Sequence, residues 1–268
     1  MIKLIISDLD GTLFYDGKDL SAGISDENLV EIRRWQDQGI KFMCASGRSV
    51  ERRITLHNMY GELWDFIGDN GGSIVLNEEL IYHNTIDKAL VIEFYHLMKE
   101  HENELMYNLS ILGKYRVASR IAKSGSRRGD RFERDEKEIY SISEYIEMGI
   151  PLEPTRIFTI SDDANKTEGF AKMIRAHFAG KLDCAMSGPH YIETVTKGEN
   201  KGKAILLVAE KLGLSLDEIA VIGDNENDLP MIELVPNSFA MSHSKAEIKE
   251  KAKYVVDAVH EMSKYLNI

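Results

Sequence analysis

The chain is poor in the devices that staple small or extracellular folds. Of its 268 residues, two are cysteine and five are proline. Cys44 and Cys184 stand far apart, with neither metal-ligand nor redox spacing. No disulfide framework or cysteine-based metal site is therefore expected, and a reduced, cytoplasmic setting fits. Cys44 sits in an apolar run and reads as a buried, inert thiol. No apolar stretch is long enough to span a bilayer. The apolar "LII" at 4–6 is too short for a secretory segment and leads straight into aspartates. Positive charge is scarce too: 33 Lys and Arg stand against 44 Asp and Glu, a formal net charge of -11. That balance argues against nucleic acid or an anionic membrane as the partner. Repeats and low-complexity tracts are absent.

What is present is alternation. "KLIISD" (3–8) is a continuous apolar run with β-branched residues, the pattern of a strand buried on both faces. "SDENLVEIRRWQDQG" (25–39) predicts a helix, with Ser25 as N-cap, acids in the first turn and Gly39 at the stop. "IKFMCAS" (40–46) predicts a second buried strand, "SVERRITLHNMYG" (49–61) a second helix, and "DFIGDNGG" (65–72) a third strand with a turn. The last third repeats the scheme, with a helix over 201–213, a strand over 218–224, and short runs at 238–241 and 254–256 around a helix-like 244–253. This is an α/β core: a parallel sheet with helices on both faces. Residues 83–189 differ, with a long polar helix pattern (87–103), the alternating "RIFTIS" (156–161) and a basic stretch (114–134). They predict an inserted α+β domain. The core is then discontinuous, residues 1–82 and 190–268. The basic stretch reads as a solvated loop or as a surface that attracts an anionic substrate. Sparse aromatics within it argue against nucleic acid.

Ligands of open parallel sheets bind outside the carboxyl ends of the strands. Asp8 and Asp10 end the first strand, Ser46, Gly47 and Arg48 the second, and Asp224, Asn225, Asn227 and Asp228 follow "VIGD". Lys201 opens the helix before that last strand. Clustered carboxylates repel unless a cation neutralises them. Mg2+ takes hard oxygen ligands and commonly uses one or two carboxylates plus substrate phosphate. One aspartate of the first pair can attack phosphorus, and the other can move the proton. Ser46, with the N–H groups of a following helix, makes an anion seat, and Lys201 supplies positive charge for phosphoryl transfer.

"DLDGTL" (8–13), "ASGR" (45–48), "NKGKA" (200–204) and "GDNENDLPM" (223–231), in this order, closely resemble the four motifs of the haloacid dehalogenase superfamily of phosphohydrolases. Residues 14–44 are too few for a bulky cap between the first two motifs, and the large insertion follows the second. That arrangement is similar to the Cof-like subfamily. The resemblance implies a Rossmann-like core with an α/β cap that selects the substrate, Mg2+, and a small phosphorylated metabolite such as a sugar phosphate. It implies Asp8 as nucleophile and metal ligand, and Asp10 as acid/base with its carbonyl on the metal. Asp224 becomes a further metal ligand. Ser46, Gly47, Lys201 and Asn227 become phosphate contacts, and Asp228 a support for Lys201 or for metal-bound water. Lys197 also precedes a glycine, but Lys201 matches the motif and the helix start. Ser242, His243 and Ser244 depart from the family's usual small-Asn-Ala turn. The rival readings are a phosphomutase and a phosphometabolite-binding protein without turnover. The intact set Asp8, Asp10, Lys201 and Asp224 argues against the second.

Overall fold

The protein is described as a computed structural model covering residues 1–14, 23–101, 104–110, 116–118, 139–140, 147, 149 and 153–268. It falls into two compact units, residues 1–82 with 199–268, and residues 83–198. The basic stretch 114–134 lies outside the described residues except for 116–118.

The first unit begins with β1 (Leu4–Ser7), α1 (Asp26–Asp37), β2 (Lys41–Ala45), α2 (Arg52–Tyr60), β3 (Asp65–Gly68), β4 (Ser73–Leu76) and β5 (Glu79–His83). α1 starts where the capping residue places it, because the Ser25 hydroxyl accepts the Asn28 N–H at 3.2 Å. The second unit follows with α3 (Lys88–Lys99), β6 (Leu105–Ser110), β7 (Arg116–Ala118), β8 (Ile139–Tyr140), β9 (Arg156–Ser161), α4 (Ala164–His177), β10 (Leu182–Gly188) and β11 (Tyr191–Thr196). The chain then returns with α5 (Lys201–Leu212), β12 (Ile219–Gly223), α6 (Leu229–Leu234), β13 (Asn237–Met241), α7 (Ala246–Lys251), β14 (Tyr254–Val256) and α8 (Ser263–Leu266).

The core sheet runs β14-β13-β12-β1-β2-β3-β4-β5 and is parallel from β14 to β3; β4 turns back antiparallel to β3. Alternation along the strands feeds two packed layers. Leu4, Ile6, Met43 and Ala45 pack with Ala204, Ile205 and Val208 of α5 and with Met231 and Ile232 of α6. On the opposite face, Phe42 stacks on Trp35 of α1 at 6.2 Å and meets Trp64 edge-on at 5.1 Å. Helices thus cover both faces, which is why β1 and β12 are buried at every position and apolar at all but Ser7 and Gly223.

The second unit is a six-stranded sheet, β10-β11-β9-β6-β7-β8, antiparallel from β10 to β7, with β7 and β8 parallel. Its core joins Val91, Phe94 and Met98 of α3 to Phe170 and Ile174 of α4 and to Ile157 and Ile192 of the sheet. Asp163 caps α4 by accepting the Asn165 N–H at 2.9 Å, so Asp162 and Asp163 form a helix-entry turn. The re-entry into the first unit falls at Glu199, later than the expected residue 190. The reason is β11, whose backbone pairs with both β9 and β10.

Candidate active site

β1, β12 and β2 are adjacent and parallel, so their carboxyl ends open at one edge of the sheet. Asp8 follows β1 there, with its N–H bonded to the Ile222 carbonyl at 3.0 Å. Asp224 follows β12. The chain after Asp8 turns sharply: Leu13 N–H reaches the Asp8 carbonyl, and Phe14 N–H the Leu9 carbonyl at 2.7 Å. Gly11 makes this turn possible. Its φ is +89°, and a Cβ there would lie 2.6 Å from Asp224 Oδ2. The same turn aims the Thr12 hydroxyl at Asp224 Oδ1, to which it donates at 2.9 Å.

Lys201, fully buried at the first turn of α5, reaches into this edge. Its Nζ donates to Asp8 Oδ1 and to Asp228 Oδ1, each at 2.6 Å. Asp228 spends its other oxygen, Oδ2, on the backbone N–H groups of Asp224 (2.9 Å) and Asn225 (3.0 Å). It therefore fixes both the lysine and the loop that carries Asp224. Lys197, the rival lysine, lies in the second unit and pairs with Asp183 at 2.5 Å.

Ser46 is buried, and its hydroxyl accepts the Arg48 N–H at 3.1 Å. Here one expectation is corrected. α2 starts at Arg52 and not at the expected residue 49, so the segment after Ser46 and Gly47 is a loop and not the first turn of a helix. That loop is stitched to its neighbour instead, by Asp69 N–H to the Arg48 carbonyl (2.9 Å) and Asn70 N–H to the Ser46 carbonyl (3.1 Å). Gly47 lies half-buried between Ser46 and Arg48. Asn227 is buried and donates its amide to Asn70 Oδ1 at 3.0 Å.

Asp10 stands apart from this cluster. Its carboxylate is about half exposed and takes both prongs of Arg48, Nε at 2.6 Å and Nη2 at 2.5 Å. Arg48, at the end of the second strand, thus pairs with Asp10. Thr12, Asn70 and Asn225 received no role from the sequence. Their only signal was membership of the motifs "DLDGTL", "DNGG" and "GDNENDLPM".

Burial raises the Asp8 carboxyl well above the usual range; Lys201 opposes that rise, while Asp228 and Asp224 add to it. Burial also raises Asp224, with the His243 side chain and the Thr12 hydroxyl pulling the other way. Burial disfavours the Lys201 ammonium, yet Asp228 and Asp8 outweigh it and hold the lysine charged. Cys44 is raised by burial and by Asp8, so its thiol stays protonated, as its apolar run implied. One ammonium thus faces three carboxylates. Ligand atoms of Asp8, Asp224 and Asp228 lie within 4.8 Å of one another. A hard, all-oxygen donor set with excess negative charge suits a divalent cation. The candidate ligands are Asp8, Asp224 and Asp228; Asp228 accepts through both oxygens from Lys201 and backbone N–H groups, and Asp224 through both from the Thr12 hydroxyl and the Asn225 amide.

Lys201 carries a stability prediction. Lys201→Met leaves two buried carboxylates without their partner, which typically costs about 3–5 kcal/mol. Urea unfolding of the metal-free protein should register that loss, and a change below about 1 kcal/mol would contradict the charge balance just described.

Known proteins resemble this chain along nearly its whole length. A 5-amino-6-(5-phospho-D-ribitylamino)uracil phosphatase of Bacillus subtilis is 27% identical, with 96% of this chain and 90% of that protein covered. The phosphatase YwpJ of the same organism is 27% identical over 96% of this chain and 94% of its own. The crystal structure of a haloacid dehalogenase-like hydrolase from Bacteroides thetaiotaomicron superposes with a TM-score of 0.79 at 26% identity, covering 99% of this chain and 100% of that one. Residues 5–263 match the haloacid dehalogenase-like hydrolases as a family, and the chain belongs to that family.

Proposed function

We propose that this enzyme is a Mg2+-dependent phosphatase that removes phosphate from a small phosphorylated metabolite, a sugar or polyol phosphate, through an aspartyl-phosphate on Asp8. The observation that carries the reading is the meeting of Asp8, Lys201 and Asp224 at the carboxyl edge of one parallel sheet. The relatives named as phosphatases support it, and one of them is named for a substrate with phosphate on a ribityl chain. The insertion 83–198 is the part of the chain left to choose the substrate.

The chain's own groups divide the work. Lys201 orients the Asp8 carboxylate and offsets the charge of the incoming phosphate. An Asp8 oxygen attacks phosphorus while the bond to the leaving oxygen breaks, and Asp10 gives that oxygen its proton. Asp10 then takes a proton from water as water attacks phospho-Asp8, which releases phosphate and restores both carboxyl groups. Ser46 and Asn227 bind the transferring group in this reading. Asp8, Asp224 and the Asp10 carbonyl would hold the cation, which would supply charge neutralisation for carboxylates and phosphate alike.

Chelation of divalent metal should therefore reduce turnover to background, and Mg2+ should restore it. The assay is release of inorganic phosphate from a panel of phosphate monoesters. Full activity in chelator would remove the cation from the reading. Isomerised hexose phosphate in place of free phosphate would make the protein a mutase.

A further inference from the structure

Asp10 has a proton to move, and an aspartate by itself holds its carboxyl loosely. The last torsion of the side chain is broad, so the carboxyl plane turns at little cost. Two features of this structure take that freedom away. The backbone of Asp10 is bridged to Phe14, whose N–H in turn reaches the Leu9 carbonyl at 2.7 Å. The carboxylate is gripped on both oxygens by Arg48, Oδ2 by Nε at 2.6 Å and Oδ1 by Nη2 at 2.5 Å. Among the described residues no other side chain bonds that carboxylate.

Arg48 is itself held. Its N–H donates to the Ser46 hydroxyl (3.1 Å), its carbonyl accepts the Asp69 N–H (2.9 Å), and a Cβ on Gly68 would lie 3.0 Å from that carbonyl oxygen. The pair therefore joins two fixed points, the turn after β1 and the loop after β2. Stability does not account for it. The two side chains are 38% and 47% exposed, where an ion pair contributes little. A planar, two-pronged pair contributes orientation instead. We propose that Arg48 is a positioning residue for proton transfer, which holds the Asp10 carboxyl in the plane from which it serves the leaving oxygen and then water. The proposal rests on the reading of Asp10 as acid and base. The grip lasts through both halves of the reaction: the carboxylate accepts both prongs, and the protonated acid still accepts on its carbonyl oxygen.

The test is single-turnover phosphorylation of Asp8 in the wild type, Arg48→Met, Arg48→Lys, Asp10→Asn and the variant that joins Arg48→Met to Asp10→Asn. Each is run with saturating sugar phosphate and with p-nitrophenyl phosphate. Arg48→Met should slow the sugar phosphate about 10–100-fold, the scale on which a misplaced group acts. It should slow p-nitrophenyl phosphate less than about threefold, since that leaving group needs little acid. Arg48→Lys offers a point charge in place of a fork, and its sugar phosphate rate should fall between wild type and Arg48→Met. In the Asp10→Asn background, Arg48→Met should cost less than about threefold more, because no proton is left to aim. Equal slowing with both substrates is what a phosphate contact or a structural role predicts, and it would overturn the proposal. So would a full effect of Arg48→Met in the Asp10→Asn background, or a sugar phosphate rate that Arg48→Met leaves unchanged. Equal slowing of both substrates by Asp10→Asn itself overturns the acid and base reading and the proposal together. A selective effect of Asp10→Asn without one of Arg48→Met overturns the proposal alone.

Discussion

Asp8→Asn is expected to fold as the native chain does and to release phosphate at least about 10⁴-fold more slowly, the scale on which removal of a covalent nucleophile acts. The substitution is nearly isosteric, and the amide oxygen can still accept the Lys201 hydrogen bond. Burial already works against a charge at this position, so the neutral amide adds no desolvation penalty. What it lacks is an oxygen nucleophile. The measurements are kcat/KM on the best phosphate monoester and a thermal unfolding curve. Turnover within tenfold of wild type, in a folded variant, would remove Asp8 from the nucleophile's role.

Asp10→Asn should separate the two halves of the reaction. General acid catalysis contributes about 10²–10⁴-fold. A sugar alkoxide needs that proton to leave; p-nitrophenolate leaves without it. Phosphorylation of Asp8 should therefore slow by that factor with a sugar phosphate and far less with p-nitrophenyl phosphate. Dephosphorylation should be slow with both, because water still needs a base. The Asp10 backbone carbonyl survives the change, so cation binding should largely persist. The two-pronged Arg48 contact fixes the Asp10 carboxylate in one orientation, and an amide keeps one acceptor for it. A single-turnover burst of p-nitrophenolate measures the first half directly. Equal slowing with both substrates would count against Asp10 as the acid and base.

The carboxyl edge of the core is legible in the sequence for a physical reason. Strands buried on both faces read as unbroken apolar runs, and the first polar residues beyond them mark where the sheet opens. Asp8, Ser46 and Asp224 are placed in this way, and Lys201 is marked by the helix that Asn200 caps. The start of α2 is less legible. Nothing in "SGRSVE" announces that the Ser46 hydroxyl and the backbone of Asp69 and Asn70 would claim this loop before the helix begins. The re-entry at Glu199 is hidden for another reason. β11 is buried at its four central positions, and only its long-range pairing with β9 assigns it to the second unit. Arg48 and His243 lie beyond sequence reasoning altogether, because each depends on where one side chain points. Arg48 stands next to the motif's phosphate-contact positions, yet it reaches Asp10. His243 stands two residues past a strand end and reaches back to Asp224.

The most direct measurement is mass mapping of the covalent intermediate. Asp10→Asn protein is mixed with p-nitrophenyl phosphate and Mg2+, quenched in acid during the burst, and digested for peptide mass analysis. The expected result is one phosphoryl group per chain on the peptide that carries Asp8, absent from the same protein with Asp8 also changed to Asn. A burst of p-nitrophenolate with no phosphorylated peptide, or with phosphate on any other residue, would contradict covalent transfer through Asp8.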